Sequence, residues 1–162
     1  MPQFIAVDHL VCTGCRECEV VCSLYHFGEC NPERSAIRVV RSEKDGLVES
    51  LLLVCQQCEQ ASCIEACPTE ALLRESDTGV ISIDEENCSG CGDCIDACPA
   101  GCIFMDAQRD VAICCDLCGG RPQCVVLCHS SCLSLANGDA EGEKDRLDRL
   151  VRTLDDRVSG GV

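Results

Sequence analysis

The sequence predicts an α+β chain assembled from small units, each a cysteine loop, a short helix and short strands, and closed by one amphipathic helix. Three observations predict it. Twenty of the 162 residues are cysteine, above the level at which cysteine dictates architecture. There is no Trp, one Tyr and three Phe, so the large side chains that usually fill a core are nearly missing; something held by the cysteines must fill it. Finally, the cysteines fall into four groups with short alternating segments between them.

In chain order, FIAVD reads as a single strand before the first group, Cys12, Cys15, Cys18 and Cys22, spaced C-x2-C-x2-C-x3-C. AIRVVR and LVESLLLV then form a hairpin around Asp45-Gly46, a dipeptide suited to a two-residue turn. The second group is Cys55, Cys58, Cys63 and Cys67, followed by Pro68. LLRE and VISID flank SDTG as a second hairpin. The third group, Cys88, Cys91, Cys94 and Cys98, repeats the first spacing and ends on Pro99. The C-x3-C ends, such as CIEACP and CIDACP, suit short helices, and CIFMD reads as another strand. The fourth group, Cys115, Cys118, Cys124 and Cys128, has a longer gap, C-x2-C-x5-C-x3-C. Beyond Leu135 the chain loses cysteine and gains charge. There Leu147, Leu150, Val151, Leu154 and Val158 form one apolar stripe on a charged helix, which either packs on its own body or docks on a partner or a further copy of the chain.

Three uses of cysteine compete: disulfides, zinc and iron–sulfur clusters. The N-terminal stretch lacks a basic region, an apolar run and a cleavage site, so a cytoplasmic location is expected and a disulfide framework is not. The longest apolar run is too short to span a bilayer, which excludes membrane insertion. A formal net charge of −15 opposes nucleic acid and anionic membranes. In C-x2-C-x2-C-x3-C-P, three thiolates sit on one loop and hold one cubane while the fourth reaches a neighbouring cluster. Zinc would instead want separated knuckles closing a single tetrahedron, so the spacing points to clusters.

The four groups in this order, with x4 in the second and the long gap in the fourth, resemble the four-cluster, ferredoxin-like electron-transfer subunits of molybdenum and tungsten oxidoreductases, over roughly residues 3 to 136. The opening CTGCRECEVVCSLYHFGECNPERSAIRV is most similar to the small iron–sulfur subunit of tungsten aldehyde oxidoreductases. The resemblance implies two ferredoxin-like two-cluster modules: an inner one, residues 47–110, inserted into an outer one, residues 1–46 and 111–136, followed by a charged linker and helix, 137–162. It also implies four [4Fe–4S] clusters with crossed ligation. Cys12, Cys15 and Cys18 go with Cys128; Cys115, Cys118 and Cys124 with Cys22; Cys55, Cys58 and Cys63 with Cys98; and Cys88, Cys91 and Cys94 with Cys67.

Two departures from the family stand out. Ser23 and His129 follow the fourth cysteines of the outer groups, where proline is common, which puts those local turns in question. Four cysteines are left over: Cys30, Cys102, Cys114 and Cys132. Cys102 and Cys132, each four residues after a fourth ligand, are read as space-fillers, and Cys115 is preferred to Cys114 because it keeps C-x2-C with Cys118. His9, His26 and His129 are not needed as ligands. Tyr25 and Phe27 are expected over the first cluster or at a subunit contact.

No nucleotide loop, catalytic triad or flavin fingerprint occurs, so no catalytic residue is expected. The function expected is a non-catalytic electron-transfer subunit relaying electrons from a tungsten or molybdenum catalytic subunit to a flavoprotein or ferredoxin. The alternatives are a free-standing polyferredoxin and the corresponding subunit of a hydrogenase or formate dehydrogenase.

Overall fold

The computed structural model describes residues 3–44, 46–138 and 140–159. Its strands form four two-stranded antiparallel sheets, and each serves to hold one or two cysteine loops.

Strand β1 (Gln3–Val7) pairs with β8 (Leu133–Asn137), Ile5 opposite Leu135 and Val7 opposite Leu133. This contact joins the two ends of the cysteine-bearing region. β8 has no counterpart in the sequence reading, because its three apolar residues run directly into the charged tail.

Helix α1 (Glu17–Phe27) is longer than the short helices expected at each C-x3-C end. It buries Cys18, Glu19, Cys22 and Ser23, residues spaced four apart on one face. Ser23 resolves one of the questioned turns. Where proline would stop the helix, the Ser23 hydroxyl donates to the Val20 carbonyl and accepts from the Asn31 N–H. The helix runs on to Gly28, whose left-handed backbone (φ 69°) closes it with a hydrogen bond to the Leu24 carbonyl. By contrast α2 (Ser62–Glu65) and α3 (Asp93–Ala97) stop before Cys67-Pro68 and Cys98-Pro99, as the steric restriction on the residue before proline requires. Helix α4 (Gln123–Leu127) is equally short although His129 follows its group. α1 packs on α4, and α2 on α3.

Strands β2 (Ile37–Lys44) and β3 (Leu47–Val54) form the expected hairpin, with Lys44 opposite Leu47. Asp45 lies outside the described residues, and Gly46 takes the positive φ (77°) that this turn needs. The run Leu51–Val54 is buried on both faces. Leu52 and Val54 join the main core among the cysteines, and Leu51 and Leu53 form a second cluster with Ala100, Cys102 and Leu150. A strand covered on both sides reads as a continuous apolar run.

That second cluster decides the fate of the tail. Helix α5 (Ala140–Ser159) lays Leu147 and Leu150 against Leu51, Leu53 and Ala100, and the Arg146 guanidinium stacks 3.9 Å from the centroid of the Phe4 ring. Here the stripe packs on its own body. The expectation that it docks on a partner or a further copy is corrected at Leu147 and Leu150, which the apolar outer face of β3 already occupies; the side chains of Leu154 and Val158 lie outside the described residues.

Strands β4 (Leu72–Arg74) and β5 (Ile81–Ile83) form the second expected hairpin. β6 (Phe104–Asp106), expected as a single strand, pairs with β7 (Val111–Ile113).

One buried amide ties these pieces together. Gln57 is fully buried; its Nε2 donates to the Cys115 carbonyl at 2.6 Å and its Oε1 accepts from the Ile81 N–H at 2.8 Å. Gln57→Leu would strand both backbone groups, at about 1–3 kcal/mol each. Denaturant melts of the cluster-loaded variant should show the loss, and an unchanged midpoint would mean that the two groups find other partners.

Candidate metal centres

The fold turns four separated cysteine groups into four compact thiol sets. Cys22, Cys115, Cys118 and Cys124 line a small hollow walled by Ile5, Ile37 and Pro122. Cys12, Cys15, Cys18 and Cys128, joined by Cys132, line another walled by Val39, Leu52 and Leu133. The α1–α4 contact brings these first- and fourth-group cysteines together.

In the other two sets electrostatics reports the company each thiol keeps. Burial pushes the Cys55 thiol up to about 12, with Cys58, Cys63 and Cys98 close enough to add to the rise. Burial likewise lifts Cys94 to about 11, with further contributions from Cys88, Cys67 and Cys91.

The spread of the sulfurs separates the candidate metals. Among the described residues, the groups of three or more potential ligand atoms lying within 4.8 Å of one another are Cys15–Glu17–His129 and His26–Asp116–Cys118. None of the four-thiol sets closes that far, as a single tetrahedral zinc with Zn–S near 2.3 Å would require. Thiols standing around a hollow suit a polynuclear iron–sulfur group, for which thiolates are the normal ligands. Backbone amides are already aimed at the sulfurs: Gly14 N–H at Cys12 Sγ (3.4 Å), Ala36 N–H at Cys22 Sγ (3.4 Å) and Cys102 N–H at Cys98 Sγ (3.3 Å). Such donors stabilise thiolate charge. Gly14 has φ 64° and no room for a Cβ beside Ser50, so the first cysteine loop needs glycine where it crosses β3.

The side chains of the adjacent pair Cys114–Cys115 point to different places. Cys115 lines the hollow with Cys22, Cys118 and Cys124. Cys114 faces away, its sulfur 3.7 Å from the Ile81 carbonyl and near Cys55, Cys63 and Cys94. Cys102 and Cys132 are buried beside Cys98 and Cys128 respectively, and Cys30 is exposed.

Two histidines do something the spacing does not reveal. His129 Nδ1 lies 3.2 Å from Glu17 Oε2 and 3.9 Å from Cys15 Sγ. His26 Nε2 lies 3.4 Å from Asp116 Oδ1 and 3.7 Å from Cys118 Sγ. Each therefore lies between a carboxylate and a cysteine sulfur of another cysteine group. The only sequence signal is that both are near fourth cysteines. Phe27 packs against the cysteine-bearing core and carries the Arg34 and Arg109 guanidiniums over its ring at 3.9 and 4.8 Å. Tyr25 is half exposed.

Burial holds Cys55 and Cys124 at about 12 and Cys58, Cys94 and Cys118 at about 11, so without metal these thiols are protonated at neutral pH. Iron must displace those protons, and assembly becomes more favourable as pH rises. Anaerobic reconstitution should be more complete at pH 8.5 than at pH 6.5, read from bound iron, and the opposite trend would contradict the proton release.

Hollows lined by four thiols, carried on small hairpins and short helices, define an iron–sulfur electron carrier. The chain belongs to the 4Fe-4S dicluster domain family, which matches residues 50–138. It is 43% identical over 120 residues to the aliphatic sulfonate oxidoreductase, polyferredoxin-like subunit, of Pyrococcus furiosus, covering 74% of this chain and 68% of that one. Similarity extends to the electron transport protein HydN of Escherichia coli, 33% identical over 158 residues with 82% and 87% covered. Among solved structures, a chain of the active site complex BamBC of benzoyl coenzyme A reductase aligns with TM-score 0.50 and 26% identity, covering 97% and 96%. The chain is thus an iron–sulfur electron-transfer subunit and not a catalytic one. Among the described residues no helix is long and apolar enough to cross a membrane.

Proposed function

We propose that the chain carries four [4Fe–4S] clusters on the sixteen cysteines of its four groups, paired across two nested modules, and relays electrons in the cytoplasm between a tungsten or molybdenum catalytic subunit and a flavoprotein or ferredoxin. The observation that carries this reading is the gathering of those sixteen cysteines into four thiol sets, each drawing on two groups. When bound, the clusters supply one-electron transfer; the protein supplies thiolates, N–H donors and exclusion of water.

The relay has an order built from neighbours. Cys18 lies near Cys124, which joins the two outer sets. Cys115 lies near Cys55, and the second-group loop touches it directly through Gln57. The α2–α3 contact joins the two inner sets. The order is therefore the Cys12 set, the Cys115 set, the Cys55 set and the Cys88 set, with exposed Cys15 and Cys91 marking the ends where electrons enter and leave.

The resemblance of the opening group to aldehyde oxidoreductase subunits makes an aldehyde-oxidising partner the first choice. The 43% identity to a sulfonate oxidoreductase subunit favours a second reading, a partner acting on aliphatic sulfonates. Anaerobic isolation of the tagged chain should yield about sixteen irons per chain together with a tungsten- or molybdenum-containing polypeptide. Dye reduction by that complex with aldehydes against aliphatic sulfonates separates the two partners. About eight irons would refute the four-cluster reading, and isolation without any such polypeptide would favour the free polyferredoxin.

A further inference from the structure

The fifth cysteine on the Cys12 hollow has no place in a four-ligand cluster. Cys132 is buried, lines that hollow with Cys12, Cys15, Cys18 and Cys128, and sets its sulfur 3.5 Å from Cys128 Sγ. Its neighbour Ser130 places Oγ at the same distance, 3.5 Å, from Cys128 Sγ. A ligating Cys128 is a thiolate and has no proton to give. Both contacts must then be donated to it, by the Cys132 S–H and the Ser130 O–H.

We infer that Cys132 is a dedicated thiol hydrogen-bond donor to the Cys128 ligand sulfur, a positioning residue that raises the reduction potential of the cluster held by Cys12, Cys15, Cys18 and Cys128. The inference rests on the four-cluster reading above. Hydrogen bonds to cluster sulfurs are one of the levers on cluster potential, because a reduced cluster places more negative charge on its sulfurs and a donor stabilises that state more than the oxidised one. Cys128 receives two side-chain donors, from Cys132 and Ser130. Cys102 stands at the same offset after Cys98 and likewise contacts the ligand sulfur; its own sulfur also lies 3.1 Å from the Ala100 carbonyl, and its backbone N–H donates to Cys98.

The test uses the full chain with its clusters, in the wild type and in Cys132→Ala and Cys132→Ser. Iron is counted first: about sixteen per chain in the wild type upholds the cluster reading, and a lower count overturns that reading independently of Cys132. Potentiometric titration followed by EPR should then show one of the four midpoints moved to more negative potential in Cys132→Ala, with Cys132→Ser restoring it toward the wild type because its hydroxyl still donates. In deuterated buffer, ENDOR should lose one exchangeable coupling at that cluster in Cys132→Ala alone. Two results overturn the inference: midpoints unchanged in the alanine variant, which leaves Cys132 a space-filler, or loss of about four irons in that variant, which makes Cys132 a ligand.

Discussion

Cys115→Ser is expected to remove about four of about sixteen irons, while Cys114→Ser keeps the wild-type content. The two residues follow β7, where successive side chains turn to opposite sides. Cys115 goes to the hollow shared with Cys22, Cys118 and Cys124; Cys114 goes to the Ile81 carbonyl. Losing Cys115 also removes a link between the first and fourth groups, so the variant should unfold at lower temperature, because cluster binding and folding are coupled. Iron and labile sulfide per chain, with a thermal melt under argon, check both parts. Loss of iron in Cys114→Ser with retention in Cys115→Ser would shift the register by one.

Much of this is legible in the sequence. The cysteine groups, the β2–β3 and β4–β5 hairpins and the tail helix all announce themselves through local pattern: fixed spacing, period-two alternation, an Asp-Gly turn, a helical stripe. What stayed hidden depends on distant partners. β7 and β8 offer three and five residues, too few for alternation to speak, and exist because β6 and β1 pair with them. The tail stripe fitted its own body and a partner equally well on paper; β3, apolar on both faces through Leu51 and Leu53, decided it. The destinations of His26 and His129, each over a cysteine from another group, follow from α1 lying against α4. No sequence spacing encodes that distance.

Asp106→Ala is expected to destabilise the cluster-loaded protein by on the order of 3 kcal/mol. Asp106 is fully buried, and its Oδ2 accepts from Arg34 Nη2 at 2.7 Å, Arg34 Nε at 3.1 Å and Arg109 Nε at 2.7 Å, while Oδ1 accepts from the Gln108 N–H at 3.0 Å. Both guanidiniums flank Phe27 at the end of α1, so this one carboxylate holds the segment after the first cysteine group against the β6–β7 hairpin. Removing it leaves two cations packed together, with Glu29 and Glu85 reaching only their outer edges. Burial alone would raise the Asp106 pKa, yet hydrogen bonds from Arg109 and Arg34 hold it below the usual carboxylate range. A depressed folded pKa gives stability that is fully present above the unfolded value, near 3.9, and is lost as pH falls through the folded one. The difference between the wild type and Asp106→Ala should therefore be constant at neutral pH and shrink only under acid conditions. Denaturant melts at pH 7, with iron release as a second readout, check the size. If Asp106→Ala melted like the wild type, the two arginines would have to be held by Glu29 and Glu85 alone, and the join between α1 and the β6–β7 hairpin would rest on Phe27 packing rather than on charge.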